Sequence, residues 1–215
     1  MQFSLFYFDG DGSRRNPDAY RLLLDSARFA DENGFQALWV PERHFHAFGG
    51  LYPNPAVIHA ALAMVTKNVQ LRSGSVVAPL HHPVRVAEDW AVVDNLSGGR
   101  AGIALASGWT MEEFVLSREP HGFRRTLMWR SYEEIARLLA GEAVVFEDAD
   151  GNAVEAKTLP RPIQPRIPFW VAGQSTETFV EAGRRGLNVL CSLLGETLEE
   201  AAPKIRAYRE ALDRA

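Results

Sequence analysis

Short apolar, β-rich runs recur along this chain at nearly constant spacing. Gln2–Phe8, Phe35–Val40, Val69–Val77 and Ala101–Ala106 begin 33, 34 and 32 residues apart, the length of one strand–helix–strand step. Phe169–Ala172 and Leu187–Leu193 follow. Between the runs lie amphipathic stretches with marked start signals. Asn16-Pro17-Asp18 opens the first, with Tyr20, Leu23, Leu24, Ala27 and Ala30 on one face and Gly34 as its stop. Asn54-Pro55 opens the second and turns Val57, Ala60, Ala61 and Met64 inward. His82-Pro83 opens the third, with Val86, Trp90 and Val93 on one stripe and Gly98 beyond its end. Alternation of this kind predicts an α/β fold, a parallel sheet covered by helices.

The rhythm breaks after Trp109. Glu133–Leu139 reads as helix, and Val144–Phe146 and Val154–Ala156 flank the turn residues Asp148-Ala149-Asp150-Gly151-Asn152, a hairpin signal. Leu159–Pro165 is an extended connector stiffened by prolines. Residues of about 110–167 therefore read as an insertion within a single domain over 1–215, and a last helix starts near Thr197. The count is about six βα units. An eight-unit barrel takes about 250 residues, so a barrel here is incomplete, truncated at its C-terminal side. A doubly wound sheet of six strands is the alternative, although Asp9-Gly10-Asp11-Gly12 lacks the dinucleotide-binding spacing. The period alone leaves both open.

Composition excludes several classes. A formal charge of −4 does not make a phosphate-seeking surface, so no nucleic-acid partner is expected. Cys191, the single cysteine, cannot form an internal disulfide, which fits a reducing cytoplasm. No apolar run spans a bilayer, and Met1-Gln2 leads into the first strand without the charged start of a secretory signal.

In either architecture the chemistry belongs at the carboxyl ends of the strands. Four of these ends are polar or glycine-rich: Pro41-Glu42-Arg43-His44-Phe45-His46; Gly74-Ser75 with Ala78–Pro83; Ser107-Gly108-Trp109; and Gly173-Gln174-Ser175-Thr176. His44 and His46 alternate and would point the same way in an extended segment. A metal site would need further ligands, and no histidine follows His121, so no metal is expected. A loop histidine bonded to a carbonyl competes with His44 as a proton-handling group. Ser175 or Thr176 at a helix start could hold a phosphate, but simple capping explains them better on spacing alone. Ser97-Gly98-Gly99-Arg100 precedes a strand and reads as a turn on the stability face.

Taken together, Trp39–Phe45, His82–Glu88, Asp94–Arg100 and Ser107–Trp109 resemble the bacterial luciferase-like monooxygenases in order and spacing. His44–Pro55 looks like a subgroup associated with secondary-metabolite biosynthesis beside peptide-synthetase or polyketide modules. The resemblance implies a TIM-type barrel that takes reduced FMN from a separate flavin reductase. Dioxygen then forms a peroxyflavin that oxygenates a small organic substrate, free or carrier-bound. It implies a proton-transfer role for His44. It places Gly74-Ser75, often joined by a cis bond, against the flavin ring, with Ser107 and Gly108 at the same mouth. Ser175, Thr178 and neighbouring Gln174 fall at the FMN phosphate. Phe48, Tyr52 and Trp109 fall at an aromatic substrate mouth. Ala106 replaces a cysteine of luciferase and Ser107 a phosphate-contacting arginine, so phosphate neutralisation must come from elsewhere or be weaker. A homodimer is the family's habit. A deazaflavin-dependent oxidoreductase and a non-catalytic flavin-binding or partner-docking scaffold are the rival readings.

Overall fold

The computed structural model describes residues 2–8 and 10–215; Met1 and Asp9, the latter opening the Asp9–Gly12 run, lie outside them. In chain order the elements are β1 (Ser4–Phe6), α1 (Arg21–Glu32), β2 (Ala37–Val40), α2 (Pro55–Ala63), β3 (Gln70–Ser73) and β4 (Val76–Val77). Then come α3 (Pro83–Ser97), β5 (Ala101–Ala106), α4 (Arg124–Ala140), β6 (Val144–Glu147) and β7 (Ala153–Ala156). β8 (Phe169–Ala172), α5 (Thr176–Arg184), β9 (Asn188–Leu190) and α6 (Leu198–Leu212) complete the series. No helix is long and apolar enough to cross a membrane among the described residues.

The main sheet runs β1-β2-β3-β5-β8-β9, with β4 continuing β3 alongside β5, and every pairing in it is parallel. Sheet order follows chain order. A doubly wound sheet reverses direction at a switch point; strictly sequential parallel strands belong to a (β/α) barrel. The barrel is incomplete, since β1 and β9 each pair with one strand among the described residues. The β6–β7 hairpin forms where the turn residues placed it, as a separate antiparallel pair.

Helix starts follow side-chain chemistry. Asn54 Oδ1 accepts the Val57 N–H (3.1 Å) at the start of α2, His82 Nδ1 accepts the Val84 N–H (3.3 Å) at α3, and Thr197 with Glu200 closes a reciprocal capping box on α6. Two helix expectations are corrected. Asn16 caps a turn, accepting the Asp18 N–H at 2.9 Å, and α1 begins at Arg21 without a side-chain cap. In α2 the inward residues are Ala56, His59, Leu62 and Ala63, while Val57, Ala61 and Met64 face outward. The reason is that α2 is apolar nearly all round, so periodicity selects no face and the fit of His59 decides.

Apolar burial is divided between the two sides of the sheet. Outside it, Leu23, Ala27 and Ala30 of α1 meet Leu38, Val40 and Leu71, and α3 and α4 cover Ile103, Leu105 and Val171 with Trp90, Ile135 and Leu138. Inside lies a smaller group of Ala37, Trp39 and Ala104 with Trp170 and Leu190. Arg72 crosses this interior with its guanidinium 5.2 Å from the Trp39 ring and 4.5 Å from the Trp170 ring. Gly102 makes room, because a Cβ there would lie 2.9 Å from Trp170 and 3.1 Å from Arg72.

At the amino end of the strands, Ser97–Arg100 is the turn its position predicts. Gly98 and Gly99 both have positive φ, and Arg100 is buried. Its guanidinium donates to Ser97 O, Val69 O, Thr66 O and Thr66 Oγ1 at 2.7–3.0 Å.

His59, fully buried, places Nδ1 2.7 Å from the Pro55 carbonyl. Burial takes its pKa from 6.5 down to about 4, so the folded chain holds it neutral where the unfolded chain protonates it. Stability is therefore lost as pH falls from 6.5 towards 4, by about 3 kcal/mol from this residue. Urea unfolding at both pH values, compared with His59→Gln, should show that loss in the wild type and much less of it in the variant.

Candidate active site

Register explains how the sheet opens a site. β3 pairs with β5 through Arg72↔Gly102, and β4 resumes at Val76↔Leu105. Three residues on one strand thus stand opposite two on the other, a bulge of the kind that re-aims side chains at strand ends. Ser73 bridges the lapse, its Oγ donating to Ala104 O (3.0 Å) and accepting the Ala104 N–H (2.8 Å). The Gly74–Ser75 peptide that follows is cis.

Beside the bulge lies a cleft of about 300 Å³ lined by Phe6, Phe8, Gly74, Gly173, Gln174 and Leu190, with Ala172, Cys191 and Ser192. Its floor is backbone. A Cβ on Gly74 would lie 2.9 Å from the Phe6 ring, and one on Gly173 would lie 2.8 Å from Thr178 Cγ2. Next to Gly173, Ser175 Oγ caps α5 at the Thr178 N–H (3.3 Å) and meets Thr178 Oγ1 at 3.1 Å. Thr178 faces a neighbouring hollow shared with Arg125, Trp129 and Arg184.

His44 does not line the cleft. Its Nε2 lies 2.8 Å from Glu42 Oε1, and His81 Nε2 lies 2.7 Å from the same oxygen. Glu42 Oε2 accepts the Val77 N–H at 2.8 Å. Burial pushes the Glu42 pKa up, but the bonds from His44, His81 and Val77 and the His81 charge outweigh it and hold Glu42 below 4.5. Burial pushes His81 down, and the Glu42 bond and charge, with Asp89 beyond, hold it above 6.5.

His46 does not share His44's direction. Phe45 takes a φ of 62°, so the segment is not extended, and His46 stacks towards Trp109 at 6.2 Å. Trp109, Phe48 and Phe8 surround the Arg43 guanidinium at 5.3, 5.4 and 4.9 Å. Phe8 belongs to both this aromatic box and the cleft. Tyr52 is elsewhere: it is 4% exposed in the outer core with Leu23 and Ala27. Gly74 and Gln174 line the cleft, and Gln174 is also bonded to Ser192. Ser107 and Gly108 are half-buried where β5 ends, Gly108 at a positive φ over Phe114. No three His, Cys, Asp or Glu side chains gather as a metal site among the described residues.

Sequence reasoning passed over Glu42, His81, Arg43 and Phe8. The available signal for Glu42 was an acid two residues before a histidine at a strand end. For Phe8 it was the alternation with Phe6.

Comparisons with known proteins bear on the family and the fold. Residues 1–215 match the family described as luciferase-like monooxygenase. The chain belongs to that family. It is 28% identical over 223 residues to the oxygenase component of the flavin-dependent trigonelline monooxygenase of Acinetobacter baylyi, covering 100% of this chain and 60% of that protein. The crystal structure of monooxygenase RslO1 from Streptomyces bottropensis superposes with a TM-score of 0.89 at 29% identity, over 100% of this chain and 67% of that one. At 18% identity, the oxygenating constituent of 3,6-diketocamphane monooxygenase from Pseudomonas putida, in complex with FMN, shares the fold with a TM-score of 0.86 over 100% of this chain and 64% of that one. The chain thus spans about three-fifths of the length of its Acinetobacter relative.

Glu42→Ala would leave the Val77 N–H and two imidazoles without their acceptor, and should cost about 2–4 kcal/mol in urea unfolding. Glu42→Gln keeps an acceptor oxygen and costs less. The pH dependence has a defined sign. The contribution of Glu42 is present above 4.5 and lost as pH falls through its lower folded value. That of His81 is present below 6.5 and lost as pH rises through its higher folded value. The wild-type margin over Glu42→Gln should therefore be widest between pH 4.5 and 6.5.

Proposed function

We propose that this chain carries the flavin site of a monooxygenase that receives reduced FMN from a separate reductase and uses dioxygen to oxygenate a small organic substrate, free or carrier-bound, in secondary metabolism. The carrying observation is the cleft: an apolar, backbone-floored slot at the carboxyl ends of barrel strands, beside a helix start with two hydroxyls. Gly74 and Gly173 keep its floor flat, because neither position has room for a Cβ, and a planar ring fits against bare backbone. Phe6, Phe8 and Leu190 give the rest of it apolar walls. The size is that of a small-ligand pocket.

Ser175, Thr178 and the first N–H groups of α5 would hold the FMN phosphate, as a helix amino end favours an anion. Arg125, in the hollow that Thr178 faces, supplies the cation that Ser107 does not. Reduced flavin, when bound, supplies the electrons that activate dioxygen. The protein then excludes water, orients the substrate at the Phe48–Trp109 mouth and holds a proton at His44. Glu42 accepts from His44 Nε2, which leaves Nδ1 as the nitrogen free to take or give that proton.

The separate reductase is supported by the Acinetobacter relative being named an oxygenase component. A second copy of the chain would cover the outward stripe of Val57, Ala61 and Met64 on α2. A reducing cytoplasm suits Cys191, exposed and unpaired.

The test is an anaerobic titration with reduced FMN, riboflavin and a deazaflavin, followed by oxygenated buffer and product analysis. Saturable FMN binding is expected, weakened about tenfold or more by Ser175→Ala with Thr178→Val through the lost phosphate bonds, while riboflavin binding is unchanged. His44→Ala should keep flavin binding and lose coupled oxygenation. No flavin binding, or a preference for the deazaflavin without oxygen uptake, would overturn the reading.

A further inference from the structure

The flavin reading gives no task to Arg43, the cation inside the aromatic box. A guanidinium is always charged and carries N–H donors along its edge. Among the described residues the Arg43 side chain makes no hydrogen bond and no ion pair, and its Nε is buried without a partner. Arg100 differs, since its donors are taken up by Ser97, Thr66 and Val69. Arg72 also leaves Nε unpartnered, but it is enclosed between Trp39 and Trp170 in the barrel interior. Arg43 is half-buried at the mouth.

The side chain is nevertheless firmly seated. The Arg43 backbone N–H donates to Tyr52 O at 2.9 Å. Gly49 leaves room for the stem, because a Cβ there would lie 2.8 Å from Arg43 Cγ. The rings of Phe8, Phe48 and Trp109 stabilise the charge from 4.9, 5.4 and 5.3 Å, and such contacts supply no oxygen acceptor. These rings are 41, 46 and 66% exposed, so the box opens to solvent. Glu113 is the counter-charge on the protein's side. It is wholly buried, it acts on Arg43 through its charge, and neither of its oxygens has a hydrogen-bond partner.

We propose that Arg43 is the specificity-determining residue of the mouth and receives the carboxylate of the substrate, whose apolar body lies on Phe48 and Trp109. The substrate class is thus a small organic acid. The proposal rests on the flavin reading for its place in the reaction: Phe8 belongs to both box and cleft, so an acid held by Arg43 lies beside the slot assigned to the flavin ring. A carboxylate matches the guanidinium fork with two parallel N–H···O bonds, which a hydroxyl or an ether does not. A cationic substrate is opposed by Arg43 itself. The buried charge of Glu113 opposes any anion, so an acid is held by direct bonds to Arg43 and not by net attraction. That favours the acceptor with the best geometry. Lysine, a point charge without a fork, would select less well.

Calorimetry with benzoate and benzamide provides the test, because the probes share a ring and differ in the group offered to Arg43. The full chain is titrated without flavin and again with oxidised FMN. In at least one of these conditions benzoate should bind about tenfold or more tighter than benzamide. In Arg43→Gln the two probes should bind alike, and in Arg43→Lys the preference should be intermediate. Phe48→Ala should weaken both probes and leave their ratio unchanged. A wild type that binds neither probe, or shows no preference for benzoate, overturns the proposal. So does a preference that survives in Arg43→Gln and Arg43→Lys. If the preference depends on Arg43 but FMN does not bind, the flavin reading fails and the carboxylate subsite stands. If FMN binds and the acid is not preferred, the subsite fails alone.

Discussion

Arg100 fixes the closed end of the barrel, and the open end depends on it. Its guanidinium joins the end of α3 to the approach to β3 through Ser97, Thr66 and Val69, all within 3.0 Å. Asp94, six residues before it and fully buried, accepts from the backbone and side chain of Gln164 at 2.9 and 2.6 Å, which ties the proline-stiffened connector into the same unit. A buried charge is tolerated only when its hydrogen bonds are made. Here each one is spent on holding a strand start in place, so β3, β5 and β8 leave from a common base.

That anchoring permits irregularity at the other end. The β3–β4 strand gains a residue relative to β5, the backbone ladder lapses, and the Ser73 hydroxyl takes over both halves of the missing pair at Ala104. The bulge places Gly74 on the cleft floor. One strand over, Phe45 enters the left-handed region, which separates His44 from His46 and turns His44 inward to Glu42. A residue with a Cβ at positive φ is costly. The surrounding contacts hold it: Glu42 is pinned by Val77 on one side and His81 on the other.

What the sequence reveals and conceals follows from the range of the interactions involved. Strand positions and helix starts are legible because they are local. Asn54-Pro55 and His82-Pro83 contain their own capping atoms, and β5 and β8 form over the residues that read as strand. The inward face of α2 is not legible, because Val57 and Leu62 are equally apolar and only packing around His59 distinguishes them. Tyr52 reads as a mouth residue beside Phe48, yet the turn from Gly49 carries it into the core behind the sheet. The Glu42–His81 contact spans 39 residues and is set by the parallel pairing of β2 with β3, so no window of sequence contains it. The resemblance of motifs pointed to the strand ends where the site is proposed; the Glu42 carboxylate that joins His44 to His81 is visible only in three dimensions.

The cleft and the barrel's edges are also one structure. Phe6 and Phe8 reach the cleft from the end of β1 and two residues beyond it, and Leu190 and Cys191 from the end of β9 and the residue after it. These are the two edge strands of the main sheet among the described residues. The slot therefore lies across the gap between the edges, not inside a closed cylinder. Any segment that pairs with β1 or β9 must narrow the same space in which the flavin ring is proposed to lie, so edge pairing and water exclusion are coupled. The His44–Glu42–His81 chain stands apart from that coupling. Its members come from the β2 and β4 ends and are held by Val77 and by each other, so its hydrogen bonds are made within the covered part of the sheet.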